Sequence, residues 1–149
     1  MIKLDNAELE TRIRGFLERI NETNADAMCG MIKGSFVSVN AEIPELIVEY
    51  PVQYWERNAI GRMQGGVMGT LLDFTSGCLS CAITGGKPVT VTLNISYLRA
   101  GPLEGTMMVR TRATKLGRTL NYFAAECWEK SEPGKLIATA SCVFMAQMA

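Results

Sequence analysis

Between Gln64 and Gly86 the chain carries one formal charge, Asp73, and no proline. A run of this length and composition predicts a single long helix from about Gly65 to Ile83, stopped by Gly85-Gly86. So apolar a helix must be wrapped by protein or by lipid. A central carboxylate costs roughly 2.5–3.5 kcal/mol in lipid, and strongly alternating segments follow it. The run is therefore expected to be the buried core helix of a soluble fold. A lone acid on such a helix is either paired or put to use.

The remaining elements order themselves around that helix. Leu9, Ile13, Phe16, Leu17 and Ile20 recur at helical spacing, giving an amphipathic first helix over about 5–21. Gly34–Val39 and Glu45–Val52 suit two short strands, followed by a Tyr54–Arg57 loop. After the long helix the period becomes two: Val89, Val91, Leu93, Ile95 and Tyr97 alternate with Thr90, Thr92, Asn94 and Ser96. Further strands are expected at Gly105–Lys115, Leu120–Glu129 and Lys135–Met145, divided by turn signals such as Leu116-Gly117-Arg118 and Pro133-Gly134. Short connections make antiparallel neighbours. The expected class is α+β, with an antiparallel sheet against one dominant helix in a single domain, 1–149.

Fifteen basic residues balance fifteen acidic ones, so no overall field draws nucleic acid or an anionic membrane. The chain has no histidine, which removes imidazole acid–base chemistry, Ser-His and Cys-His pairs and imidazole metal sites. Five scattered cysteines and an acidic N-terminal segment unlike a signal peptide point to reduced thiols in a cytoplasm. Cys78-Leu-Ser-Cys81 has CxxC spacing but lies deep in the helix, where packing is the better account than redox or metal chemistry.

On a helical wheel, Gly66, Gly69, Thr70, Ser76, Gly77 and Ser80 all fall within about 60° of Asp73. A glycine inside a helix costs about 1 kcal/mol relative to alanine, so three in one strip imply a close approach to the backbone. Either another helix packs there and Asp73 is capped by a neighbour, or the strip borders a substrate channel. Gly65 and Gly66 also leave the helix N-terminus open, where free N–H groups and the helix dipole can stabilise an oxyanion.

The spacing Asn58-x-x-Gly61-x-x-Gln64-Gly65-Gly66, with Asp73 beyond it, resembles the hotdog-fold acyl-CoA thioesterases of the phenylacetate-degradation (PaaI-like) type. The resemblance extends through Val89–Leu98, Leu116-Gly117-Arg118-Thr119 and Gly134–Ala138. It implies a hotdog sheet around one helix and hydrolysis of a small or medium acyl thioester, aromatic acyl groups included. It further implies that the Gly65 amide polarises the thioester carbonyl and that Asp73 of the opposite subunit is nucleophile or general base. Thr90 is then placed near that carboxylate, and Asn58 and Gly66 beside the carbonyl. A homodimer or dimer of dimers is implied, with no cofactor beyond the CoA of the substrate. Gln64 stands where the family has histidine, and keeps a hydrogen-bond donor that cannot titrate. Arg99, Arg110, Arg112, Lys115 and Arg118 are candidates for the CoA phosphates, with Arg118 foremost. The competing expectation is a non-catalytic hotdog protein that binds acyl-CoA or a related ligand.

Overall fold

The computed structural model describes residues 4–146. Helix α1 (Asn6–Thr23) begins where the Asp5 carboxylate accepts the Glu8 N–H at 2.8 Å. Its buried stripe is Leu9, Ile13 and Leu17. A four-residue helix, α2 (Met28–Met31), follows and had no periodic signature because it is one turn long. Strands β1 (Ser35–Asn40) and β2 (Glu45–Pro51) lead to a 3-10 turn at Tyr54–Glu56, within the expected loop. Helix α3 (Gly65–Thr84) ends at Gly85, whose φ of 70° is the left-handed cap that glycine adopts freely.

Four strands follow: β3 (Val89–Tyr97), β4 (Thr106–Leu116), β5 (Leu120–Glu129) and β6 (Ala138–Met145). All pair antiparallel in the order β1-β2-β4-β5-β6-β3. β6 starts later than the alternation suggested. The Glu132 and Lys135 N–H groups donate to the Glu129 and Glu132 carbonyls at 2.9 and 3.2 Å, so the chain is still turning there and joins the ladder at Ala138.

Helix α3 lies across β2 to β6, and α1 closes over β1 and α3. This is the hotdog arrangement. Leu71, Leu72 and Leu79 of α3 meet Leu46, Val48, Met107, Val109, Phe123 and Phe144 of the sheet, all buried. Two polar ties cross that interface, Tyr50 to Thr75 at 2.7 Å and Ser76 to Thr111 at 2.9 Å. Both are fully paired, so they fix the helix on the sheet without a desolvation penalty.

The small-residue strip is split lengthwise. Gly69, Ser76 and Ser80 are buried against the sheet, whereas Gly66, Thr70, Asp73 and Gly77 are not. The group that approaches the backbone is the chain's own sheet rather than another helix. A Cβ on Gly69 would lie 2.9 Å from Ile95 Cδ1, and one on Gly77 would lie 3.3 Å from the Phe144 ring.

Strand β3 also departs from strict alternation. Thr90 pairs with Phe144 and Thr92 with Val143, so Val91 is bulged out. The bulge inverts the face of everything before it. Thr90 joins Leu93 and Ile95 on the helix side, and Val91 is left 49% exposed. Leu72→Ala is expected to lower unfolding free energy in urea by about 2–5 kcal/mol. Thr70→Ala, at the partly exposed strip, should change it by no more than about 0.5 kcal/mol.

Candidate active site

The loop before α3 is folded by Asn58. Its side-chain oxygen accepts the Ile60 and Arg62 N–H groups, both at 3.0 Å, and its own N–H donates to the Arg62 carbonyl at 2.7 Å. Gly61, with φ of 81°, completes the turn. The expected position beside a substrate carbonyl is thus served by an amide whose oxygen is already spent on the loop. Only its NH2 is free to reach outward.

Gln64 is the helix N-cap in an extended conformation, and its side chain makes no capping bond. Its carbonyl accepts the Val67 and Met68 N–H groups at 3.0 and 3.2 Å. The Gly65 and Gly66 N–H groups find no acceptor among the described residues. They are the open positive end of a twenty-residue helix. Tyr97 anchors this end by donating its hydroxyl to the Gly65 carbonyl at 2.6 Å. Its ring would sit 3.3 Å from a Cβ on Gly65, whereas nothing lies within 4 Å of one on Gly66.

Asp73 is half-buried and forms no ion pair among the described residues. The Thr90 hydroxyl donates to its Oδ1 at 2.9 Å. Burial raises its pKa above the ordinary 3.8, and the Thr90 bond offsets part of that rise. The carboxylate opens into a cavity of about 310 Å³ lined by Phe16, Phe74, Gly77, Lys87, Thr90 and Phe144. Part of each account of the strip holds: the sheet and not another helix packs on it, the acid is capped by a threonine, and it borders a cavity.

Along the axis Asp73 lies eight residues from Gly65, or about 12 Å. The acid and the open amides of one protomer therefore cannot reach the same atom.

The expected phosphate contact fares differently. Arg118 is exposed in the β4–β5 turn, Arg110 is engaged by Glu126 and stacks on Trp128, and Lys115 lies over Tyr122. Arg99 joins Arg62 and Lys135 around a cavity of about 640 Å³ that also holds Glu104, Glu129 and Glu132. Cys78 and Cys81 are free thiols, and burial pushes both pKa values up, which suits packing and not thiolate chemistry.

The thioesterase superfamily profile matches residues 60–135. Over 108 residues the chain is 32% identical to human acyl-coenzyme A thioesterase 13, covering 72% of this chain and 76% of that one. The chain belongs to the thioesterase superfamily. Its resemblance to the PaaI-like type agrees with a Ralstonia eutropha structure, a phenylacetic acid degradation-related protein. That protein is 29% identical with a TM-score of 0.73, over 87% of this chain and 98% of its own. A Streptococcus mutans structure bound to acetyl-CoA is 25% identical with a TM-score of 0.69, covering 77% of this chain and 89% of its own.

The motif left Glu56 of this thioesterase unmarked. Its side chain is 1% exposed; Oε2 accepts the Gln53 N–H at 2.9 Å and Oε1 has no partner among the described residues. Its carbonyl accepts the Gln64 N–H at 2.7 Å, which ties it to the helix start. Lys87 and the three phenylalanines of the Asp73 cavity were also unmarked, since no sequence spacing links them.

Burial raises the Glu56 pKa above the ordinary 4.5. The stability contributed by its protonated form is complete below that ordinary value and is lost as pH rises through the higher folded value. Glu56→Gln keeps an acceptor for Gln53 and removes the titration. Its melting temperature is expected to gain on wild type as pH rises from 4 to 8 in thermal scans. An offset that stays constant with pH would contradict a carboxyl whose pKa burial has raised.

Proposed function

We propose that this protein hydrolyses acyl-CoA thioesters, with small or medium acyl groups including aromatic ones, to free acid and CoA at a site shared between two copies. The observation that carries this reading is the unpaired, half-buried Asp73 on a cavity, set about 12 Å from amides that have no acceptor. Each half lacks what the other offers. A second protomer supplies the match.

The edge strand supports that assembly. Only one side of β3 is paired, and Val89, Val91 and Tyr97 along it are about half exposed. An unpaired apolar edge is a template for another strand. Pairing of two β3 strands brings one copy's helix start toward the other copy's Asp73.

At such a site the Gly65 N–H, helped by the helix dipole, holds the carbonyl oxygen as it gains negative charge. Asp73 attacks the carbonyl carbon directly, or takes a proton from a water that attacks it. The C–S bond then breaks and CoA leaves as a thiolate that acquires a proton; on the direct route water then cleaves the acyl–Asp73 anhydride, releasing the acid and restoring the carboxylate. Thr90 keeps the Asp73 carboxylate oriented and ionised, Asn58 holds the loop, and Gln64 donates without titrating. Arg118 remains the candidate contact for the CoA phosphates, because Glu104, Glu129 and Glu132 offset the charge of Arg62, Arg99 and Lys135 in their shared cavity. Five free thiols suit a reducing cytoplasm. Gln64 in place of histidine favours the second reading, an acyl-CoA binder that releases no thiol.

Asp73→Asn should cut turnover by about 10³-fold or more with the melting temperature unchanged. The measurement is product chromatography over an acyl-CoA panel. Saturable binding without any hydrolysis by the wild type would select the binder. Gly65→Pro removes the amide hydrogen at the first helical position, where proline is tolerated, and should cost about 10²–10³-fold. Mixing the Gly65→Pro and Asp73→Asn proteins should restore activity, because one site of each mixed pair is intact.

Asp73 must be ionised to act, so activity should rise with pH through a value above the ordinary 3.8. Thr90→Ala removes a bond that favours the ionised form and should move that limb to higher pH. No imidazole step should appear.

A further inference from the structure

The cavity beside Asp73 does not end there. A second cavity of about 390 Å³, lined by Arg12, Phe16, Cys78, Cys81, Ala82 and Gly85, shares Phe16, Cys78 and Cys81 with the first. Together they trace a groove between α1 and α3, with the acid at one end and the α3 C-terminus at the other. We propose that the acyl chain of the substrate lies in this groove, and that Phe16 and Cys81 set the length and width it accepts. This rests on the thioesterase reading above and assigns the acyl subsite within it.

The side chains along the groove suit an apolar occupant. Asp73, Gly77, Cys81 and Gly85 succeed one another every four residues, so they descend α3 on a face that drifts toward α1. Gly77 and Cys81 are small enough to leave room beneath α1. The Phe16 and Phe74 rings form one wall, with centroids 5.9 Å apart and planes tilted by 31°, and Phe144 backs Gly77. The Cys81 thiol donates to the Gly86 carbonyl at 3.2 Å, and Arg12 donates to the Ala82 carbonyl at 3.0 Å and to Glu8. At the far end the Arg12 charge is thus engaged by Glu8 and by the Ala82 carbonyl. Polar groups gather at the other end, where Lys87 and Thr90 flank Asp73.

Geometry sets the length. From Asp73 to Cys81 is eight residues, about 12 Å. An extended chain with bonds of about 1.5 Å advances roughly 1.25 Å per carbon, so a chain of about ten carbons reaches Cys81. A longer chain continues toward Gly85. A bulky side chain at position 81 blocks the groove beyond that point and leaves short acyl groups untouched.

Two experiments decide it. In the first, hydrolysis of butanoyl- and dodecanoyl-CoA is compared between wild type and Cys81→Phe. The ratio of dodecanoyl to butanoyl kcat/KM should fall at least about tenfold. Phe16→Ala opens the wall and should raise the relative rate for branched or aryl acyl groups. Parallel loss for both chain lengths, or an unchanged ratio, overturns the assignment. In the second, Cys81 of the wild-type protein is labelled with a maleimide and followed by mass spectrometry, which needs neither a variant nor turnover. Dodecanoate should slow labelling of Cys81 several-fold, butanoate should not, and Cys29 should be indifferent to both. Equal labelling with either acid overturns the groove even if acyl-CoA is hydrolysed. Shielding of Cys81 by dodecanoate in a protein that hydrolyses no thioester upholds the groove and refutes the catalytic reading.

Discussion

A carboxylate held half out of water on an otherwise uncharged core helix is the constraint from which the rest of the structure follows. Its desolvation is unfavourable, and among the described residues no ion pair compensates it. The hydrogen bond from Thr90 is the one side-chain contact that favours its ionised form. That contact depends on the bulge at Val91, which turns Thr90 onto the helix face of β3. The bulge in turn sits in a strand that the rest of the sheet pairs on one side only. The site's electrostatics and the exposed sheet edge thus meet in one strand.

Helix geometry then separates the reactive parts. The open amides must be at the N-terminus of α3, because only there are backbone donors left without intrahelical partners. The acid must lie deeper, where the sheet lowers the local dielectric. Two turns of helix keep them apart within one protomer. The proposed shared site answers that separation, and the β3 edge is where we propose that two copies meet. The same depth places Asp73 at the head of the groove under α1, so that the proposed chemistry and acyl recognition would use successive turns of one helix.

Much of this was legible in the chain. The charge-free run around Asp73 specified the core helix, the change to a two-residue period marked the sheet, and the ordered motif from Asn58 to Asp73 pointed to the family. Strand ends were less legible where turn hydrogen bonds outranked pattern, as at Lys135, whose N–H is held by the Glu132 carbonyl before β6 begins. Glu56 was invisible for a different reason. Nothing local distinguishes a glutamate that will be buried from one that will be solvated.

The sequence by itself determined the helix, its lone acid, the diglycine start and the absence of any imidazole, because these are matters of residue type and spacing. Only the tertiary structure decided which half of the glycine strip meets the sheet, which face Thr90 occupies, and that Phe16 roofs a groove leading from Asp73. Those outcomes turn on a one-residue bulge and on side chains distant in the chain meeting across α3. Local periodicity carries no information about either.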